Sequence, residues 1–165
     1  MVKKRYLQVL ERILYHLRTT SAPWAVTGSL GFALQGVPVQ PHDVDIQTDE
    51  KGAYEIERLL TEFVVKRVRF TSAKNIRSHF GVLNIDGIKV EIMGDIQKRL
   101  GNGNWTRPPD LRKHIHFIKL EEKNIPVLSL EYECKAYRQL GRKDKADLLK
   151  YWLSQRVSLT EDSHE

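Results

Sequence analysis

Two short motifs in this 165-residue chain carry residue types suited to phosphate chemistry. They are Gly28-Ser29 and Asp43-Val44-Asp45, with thirteen residues between them. Ala25 and Val26 suit a buried strand, and Gly28 ends it. Ser29 to Gln35 reads as a short helix, stopped by Gly36 and Pro38. A Gly-Ser turn at a helix start offers free backbone N–H groups and a hydroxyl, which suit phosphate oxygens. Glycine there lets a phosphate approach the backbone closely. In the strand that follows, period-2 alternation puts Asp43, Asp45 and Gln47 on one face and sends Val44 and Ile46 into the core. Two carboxylates so placed repel each other unless a cation lies between them. Mg²⁺ takes hard oxygen ligands and keeps positions open for substrate phosphates. The combination predicts metal-assisted chemistry on a nucleotide.

A third acid fits the same chemistry. Asp86-Gly87 separates two apolar alternations, 82–85 and 88–93, and Asp-Gly in that setting signals a two-residue hairpin. Ile88, Val90 and Ile92 share one face of the second strand, so Glu91 points to the other. If this strand lies beside the Asp43 strand, three carboxylates converge. Such a cluster can hold two divalent ions, which activate a nucleophile and stabilise a pyrophosphate leaving group.

Gly28-Ser29, Asp43-Val44-Asp45 and Glu91 resemble the three-part signature of the DNA polymerase beta-like nucleotidyltransferase superfamily. The likeness is to its small bacterial members, among them lincosamide and aminoglycoside nucleotidyltransferases and uncharacterised single-domain proteins. The run from Pro126 through Glu131 to Lys135, then Gly141-Arg142-Lys143-Asp144 and Asp147, resembles their C-terminal helical segment. The resemblance implies that Gly28 and Ser29 grip the outer phosphates of a nucleoside triphosphate such as ATP. It implies Asp43, Asp45 and Glu91 as catalytic and metal-binding residues, with Glu91 a ligand or the base for an acceptor hydroxyl. Lys135 matches a lysine that reaches the triphosphate. The cofactor implied is Mg²⁺, two ions, with Mn²⁺ able to substitute. The reaction implied is in-line attack on the α-phosphorus with loss of pyrophosphate, catalysed by positioning and charge stabilisation. The fold implied is α/β (α+β): a mixed, largely antiparallel twisted sheet backed by helices, with a C-terminal helical hairpin closing one side of the cleft.

The elements that must position these residues follow from periodicity. Leu7, Leu10, Leu14 and Leu17 mark an amphipathic helix from about Lys3 to Leu17. Asp49 caps a helix carrying Ile56, Leu59, Leu60, Phe63 and Val64. Val64 to Phe70 is extended, residues 74–77 are a basic connection, and residues 101–109 are a loop. His114 to Ile118 suits a strand. Ser129 caps a helix to Leu140, and a second helix runs from Asp144 to Leu153. The organisation expected is one nucleotidyltransferase domain over residues 1–157, with an α/β core to about 120, a helical segment over about 128–155, and a flexible tail over 158–165. With 41% hydrophobic and 29% charged residues the composition is that of a globular domain able to bury a core. The single cysteine, Cys134, excludes an intrachain disulfide and agrees with a cytoplasmic location. Charged residues interrupt the N-terminal apolar stretch, so neither a signal peptide nor a membrane span is expected. The net charge of +6 favours anionic partners.

Plainer roles stand beside these. Asp43 and Asp45 could be solvent-facing acids, Glu91 could pair with Lys89 or Lys98, and Lys135 could pair with Glu131 four residues earlier. Asp86 reads as a turn residue only. His79 lies on the strand entering the hairpin, where core or surface is the default. With no cysteine pair near the histidines, a zinc site is not expected. Trp105 among Arg107, Arg112 and Lys113 could stack a base, or belong to a solvated loop. The acceptor is not written in the motifs. A small molecule such as an aminoglycoside or lincosamide, an RNA, and a protein partner as in toxin–antitoxin pairs all remain open. So does a non-catalytic nucleotide-binding module, and a second copy or a separate partner could complete the acceptor site.

Overall fold

The computed structural model describes residues 2–162, with side chains as far as residue 156. Seven strands form one mixed sheet in the order β3-β4-β5-β2-β1-β7-β6. The strands are β1 (Trp24–Thr27), β2 (Val44–Thr48), β3 (Val64–Ser72), β4 (Ile76–Ile85), β5 (Ile88–Lys98), β6 (Ile115–Leu120) and β7 (Lys123–Leu128). The helices are α1 (Lys4–His16), α2 (Gly28–Leu34), α3 (Glu50–Leu59), α4 (Leu130–Gln139) and α5 (Lys143–Asp162). β2 runs parallel to β5 and β1 parallel to β7, while the other neighbours are antiparallel. The expected mixed, largely antiparallel sheet is therefore present.

One face of the sheet is the main core. Val44 and Ile46 of β2, Leu83 and Ile85 of β4, and Ile88, Val90 and Ile92 of β5 are buried in one cluster with Val9, Leu10 and Ile13 of α1 and Ala53 and Ile56 of α3. The buried stripe of α1 is centred on Tyr6, Val9, Leu10 and Ile13, with Leu7 and Leu14 only partly covered. Asp49 caps α3 as expected, its carboxylate accepting the Gly52 N–H at 2.7 Å. Asp86 and Gly87 both adopt positive φ, 52° and 83°, the geometry of the tight hairpin turn between β4 and β5.

The opposite face is covered on one side only. Phe32 of α2, Leu130 and Cys134 of α4, and Ala146 and Leu149 of α5 form a second buried cluster. Ser129 caps α4 by accepting the Tyr132 N–H. This is the expected C-terminal helical hairpin, although α5 continues past Leu153 to Asp162. The tail expected from residue 158 thus begins inside α5, and residues 163–165 lie outside the described residues. β7 is an element that the sequence did not announce. Pro126 argues against a strand, because proline removes a ladder donor. It is tolerated because β7 meets β1 at a single register pair, Val26 with Val127, while Pro126 itself faces Phe117 of the edge strand β6.

Candidate active site

The register of β2 and β5 builds the site. Asp45 pairs with Glu91, flanked by Val44 with Val90 and Ile46 with Ile92. Cross-strand partners share a face, so the two carboxyl groups emerge together, opposite the main core. Asp43 stands one step outside β2, opposite the end of β5 that carries Lys89. The Lys89 ammonium lies 3.4 Å from Asp43 and 3.2 Å from Glu91. Glu91 therefore joins the cluster and also forms the ion pair with Lys89 that its sequence allowed. Burial pushes the Asp45 carboxyl up to about 7, helped by the charge and hydrogen bond of Glu91 and the charge of Asp43, and opposed by Lys89. The same two acids raise Lys89 above its ordinary value.

Gly28 stands directly over Asp45. Its φ is +69°, a region open to glycine. A Cβ built there would lie 2.5 Å from Asp45 Oδ2. Backbone hand and contact distance thus both favour glycine at this turn. Ser29 follows as the second residue of α2, half-buried beside the turn.

Glu133 of α4 fixes the turn from the covered side, a role that sequence reading missed. Its buried carboxylate accepts the Thr27 hydroxyl and the Gly28 backbone N–H. Burial pushes it up to about 7 against those two hydrogen bonds and the charge of Lys98. Gln47 donates to the Thr27 hydroxyl oxygen at 3.4 Å, and its own Oε1 is buried without a partner. A helical glutamate inside Tyr132-Glu133-Cys134 carries no sequence sign of burial beyond its apolar neighbours. Only the meeting of α4 with β1 identifies it.

Lys135 stands on the same helix as Glu133. It lies exposed on α4, along a cavity of about 340 Å³ that Lys98, Arg107, His114 and Tyr132 also line. It makes no ion pair with Glu131 among the described residues. Lys98 in the same cavity is held below its ordinary value by burial, with Glu133 opposing and Lys135 adding to the shift. His79 faces away from the carboxylates, bonded to Tyr54 and close to Glu50 of α3. Trp105 stacks under the Arg77 guanidinium at 4.4 Å instead of standing in open loop.

The donor set of the cluster suits a hard cation. It consists of carboxylate oxygens from adjacent strands, with an ammonium already balancing two of them and an unpartnered amide oxygen on the same face. Among the described residues no three acid, histidine or cysteine side chains stand close enough to enclose an ion as placed. The Lys89 ammonium instead lies between Asp43 and Glu91.

The family model for aminoglycoside-2''-adenylyltransferase matches residues 9–150, which spans all of these groups. The chain belongs to that family. It is a nucleotidyltransferase. No curated protein matches the chain. Among solved structures, TM1012 of Thermotoga maritima, a provisionally assigned nucleotidyltransferase, is 59% identical with a TM-score of 0.83, over 94% of this chain and 96% of that one. Two more distant structures share the fold. The lincosamide adenylyltransferase LnuA with bound lincomycin has a TM-score of 0.53 at 14% identity, covering 90% of this chain and 97% of its own. ANT(2'')-Ia in complex with adenylyl-2''-tobramycin has a TM-score of 0.57 at 10% identity, covering 97% of both chains. No helix among the described residues of this nucleotidyltransferase is long and apolar enough to cross a membrane.

Proposed function

We propose that this nucleotidyltransferase moves a nucleoside monophosphate from a nucleoside triphosphate to an acceptor hydroxyl at the Asp43–Asp45–Glu91 cluster, with release of pyrophosphate. The observation that carries the reading is the alignment of Asp45 with Glu91 directly beneath the Gly28 turn. At the turn that Gly28 forms, Ser29 offers its backbone N–H and its hydroxyl to the outer phosphates. Asp43, Asp45 and Glu91 are the residues to hold Mg²⁺ or Mn²⁺, which when bound would neutralise charge on the phosphates and lower the pKa of the attacking hydroxyl. Glu133 keeps the turn in place through Thr27 and Gly28, so the phosphate cradle is formed before substrate arrives. Lys135 and Lys98 line a cationic recess on the α4 side that suits the triphosphate. The acceptor oxygen forms a bond to the α-phosphorus, and the bond from that phosphorus to the bridging oxygen breaks. Pyrophosphate leaves with the electron pair, and the hydroxyl proton passes to a carboxylate of the cluster or to water.

Calorimetric titration of each nucleoside triphosphate with Mg²⁺ tests the donor half, with Asp43→Ala/Asp45→Ala as the control. The reading requires metal-dependent binding that the double variant loses. A folded wild-type protein that binds no nucleoside triphosphate overturns it. Lincomycin and tobramycin, named with the two distant structures, enter the first acceptor screen, with pyrophosphate release as the signal.

A further inference from the structure

The site face is unevenly furnished, and its open half bears on the acceptor. Strand registers set out two rows across this face. One row runs Thr27, Asp45, Glu91, Val82, Lys66, and the next runs Ala25, Gln47, Met93, Phe80, Arg69. α4 covers the Thr27 end of the first row. Beyond Glu91 the face is open: Val82, Phe80 and Met93 are half-buried, and Lys66 and Arg69 are exposed. Neighbouring strands are about 5 Å apart, which puts Lys66 about 10 Å from Glu91 across one apolar position. The two rows are about 7 Å apart along β4.

The charges on this half have one sign. β3 and β4 contain no acidic residue, and Asp95 of β5 is turned toward Asp49 and Glu50 of α3. Lys66 and Arg69 make no ion pair among the described residues. A polycationic acceptor entering along this half would therefore meet repulsion before it met the carboxylates. A ligand with a flat apolar part and phosphates on its far side would meet complementary groups. Phe80, Met93 and Val82 offer a surface for a base or sugar, and two cations follow in line.

We propose that this half-face seats a single-stranded nucleic acid as the acceptor, with a strand hydroxyl at the Asp45–Glu91 pair and consecutive phosphates on Lys66 and Arg69. The proposal rests on the nucleotidyl-transfer reading above. The step is the same exchange: a bond forms from the strand oxygen to the α-phosphorus, pyrophosphate departs with the electrons of the broken bond, and the hydroxyl proton goes to a cluster carboxylate or water.

The test uses the full chain and a fluorescein-labelled oligouridylate of about a dozen nucleotides. Anisotropy is followed at several salt concentrations for wild type, Lys66→Glu/Arg69→Glu and the milder Lys66→Gln/Arg69→Gln. The expected results are binding that weakens with salt, at least about a tenfold loss in both variants, and a slope smaller by about 1.4, the value for two lost phosphate contacts on a single strand. Calorimetry with nucleoside triphosphate and Mg²⁺ should match wild type in both variants. Loss of triphosphate binding by wild type itself strikes the donor reading, not this one. Wild type that binds triphosphate but binds the oligonucleotide no better than the variants overturns this proposal. Transfer of the nucleotide to tobramycin or lincomycin in preference to the oligonucleotide also overturns it.

Discussion

The two halves of the site face are built on opposite terms. On the covered half, polar groups are buried and held: Glu133 grips Thr27 and Gly28, Gln47 reaches Thr27, and Lys98 is shut under Tyr132 with its charge disfavoured. On the open half, Lys66 and Arg69 stand in solvent. The carboxylate cluster sits on the border, and its members divide the same way. Asp45 is pushed up to about 7 chiefly by burial, whereas the Asp43 side chain next to it is 40% exposed and paired with Lys89. The difference separates two tasks. The covered half spends desolvation to fix geometry, and the open half keeps charge available for whatever arrives.

The sharpest way to break this division is at the border. Asp45→Ala removes the residue that both Gly28 and Glu91 are fitted around, and Asp43→Ala removes its half-buried neighbour. Both should cut nucleotidyl transfer by about a thousandfold or more if the cluster holds the metal ions. Pyrophosphate release checks it, and a variant with a tenth of wild-type activity would remove the cluster from the reaction.

Next in size is the turn. Gly28→Ala places a methyl group against Asp45 Oδ2 at a φ of +69°. The strain and the forced shift together should cost about 2–4 kcal/mol, read as a lower urea midpoint at unchanged slope. Triphosphate binding should weaken in parallel. Gly36, also at positive φ but with nothing within 4 Å of a Cβ, is the matching control, expected to lose about 1 kcal/mol.

The covered half makes a prediction about pH. The folded values of Glu133 and Asp45 are raised to about 7 from ordinary values of 4.5 and 3.8. Raised carboxyls contribute stability that is fully present below their unfolded values and is lost as pH rises through the folded ones. Wild-type stability should therefore fall between about pH 4 and pH 7. Glu133→Gln keeps an acceptor for Thr27 or Gly28 but cannot ionise. Its stability should be flatter across that window, with a gain over wild type of up to about 3 kcal/mol near pH 8. Denaturation at pH 5 and pH 8 decides it. Equal pH dependence in both proteins would show that Glu133 titrates as an ordinary surface acid.

The same division governs what the sequence showed. The open elements were legible because alternation and turn chemistry are local: Asp43, Asp45 and Glu91 fell on the expected face, and Asp86-Gly87 made the expected hairpin. Asp49 and Ser129 cap the helices that their spacing announced. The covered half was not legible. Glu133 and Lys98 are charged residues whose burial depends on α4 packing over β1 and β5, which no window of sequence contains. β7 was hidden by Pro126.

The smallest expected effect concerns Lys89, which belongs to the open half but reaches into the cluster. Its ammonium bridges Asp43 and Glu91, so a divalent cation using those oxygens must displace it. Lys89→Met keeps the length of the side chain and removes the competing charge. Exposed ion pairs contribute little, so the gain in Mn²⁺ affinity should be modest, up to about fivefold. Electron paramagnetic resonance of free Mn²⁺ measures it without any turnover. A second effect should oppose the first: without the ammonium, Asp43 and Glu91 lose the counter-charge that Lys89 supplies, and metal-free stability should fall while metal-bound stability does not. Unchanged Mn²⁺ affinity in Lys89→Met would mean that the ion binds without Asp43 and Glu91 acting together. The border between the halves would then lie between those two acids, with Asp45 and Glu91 on the buried side and Asp43 outside it.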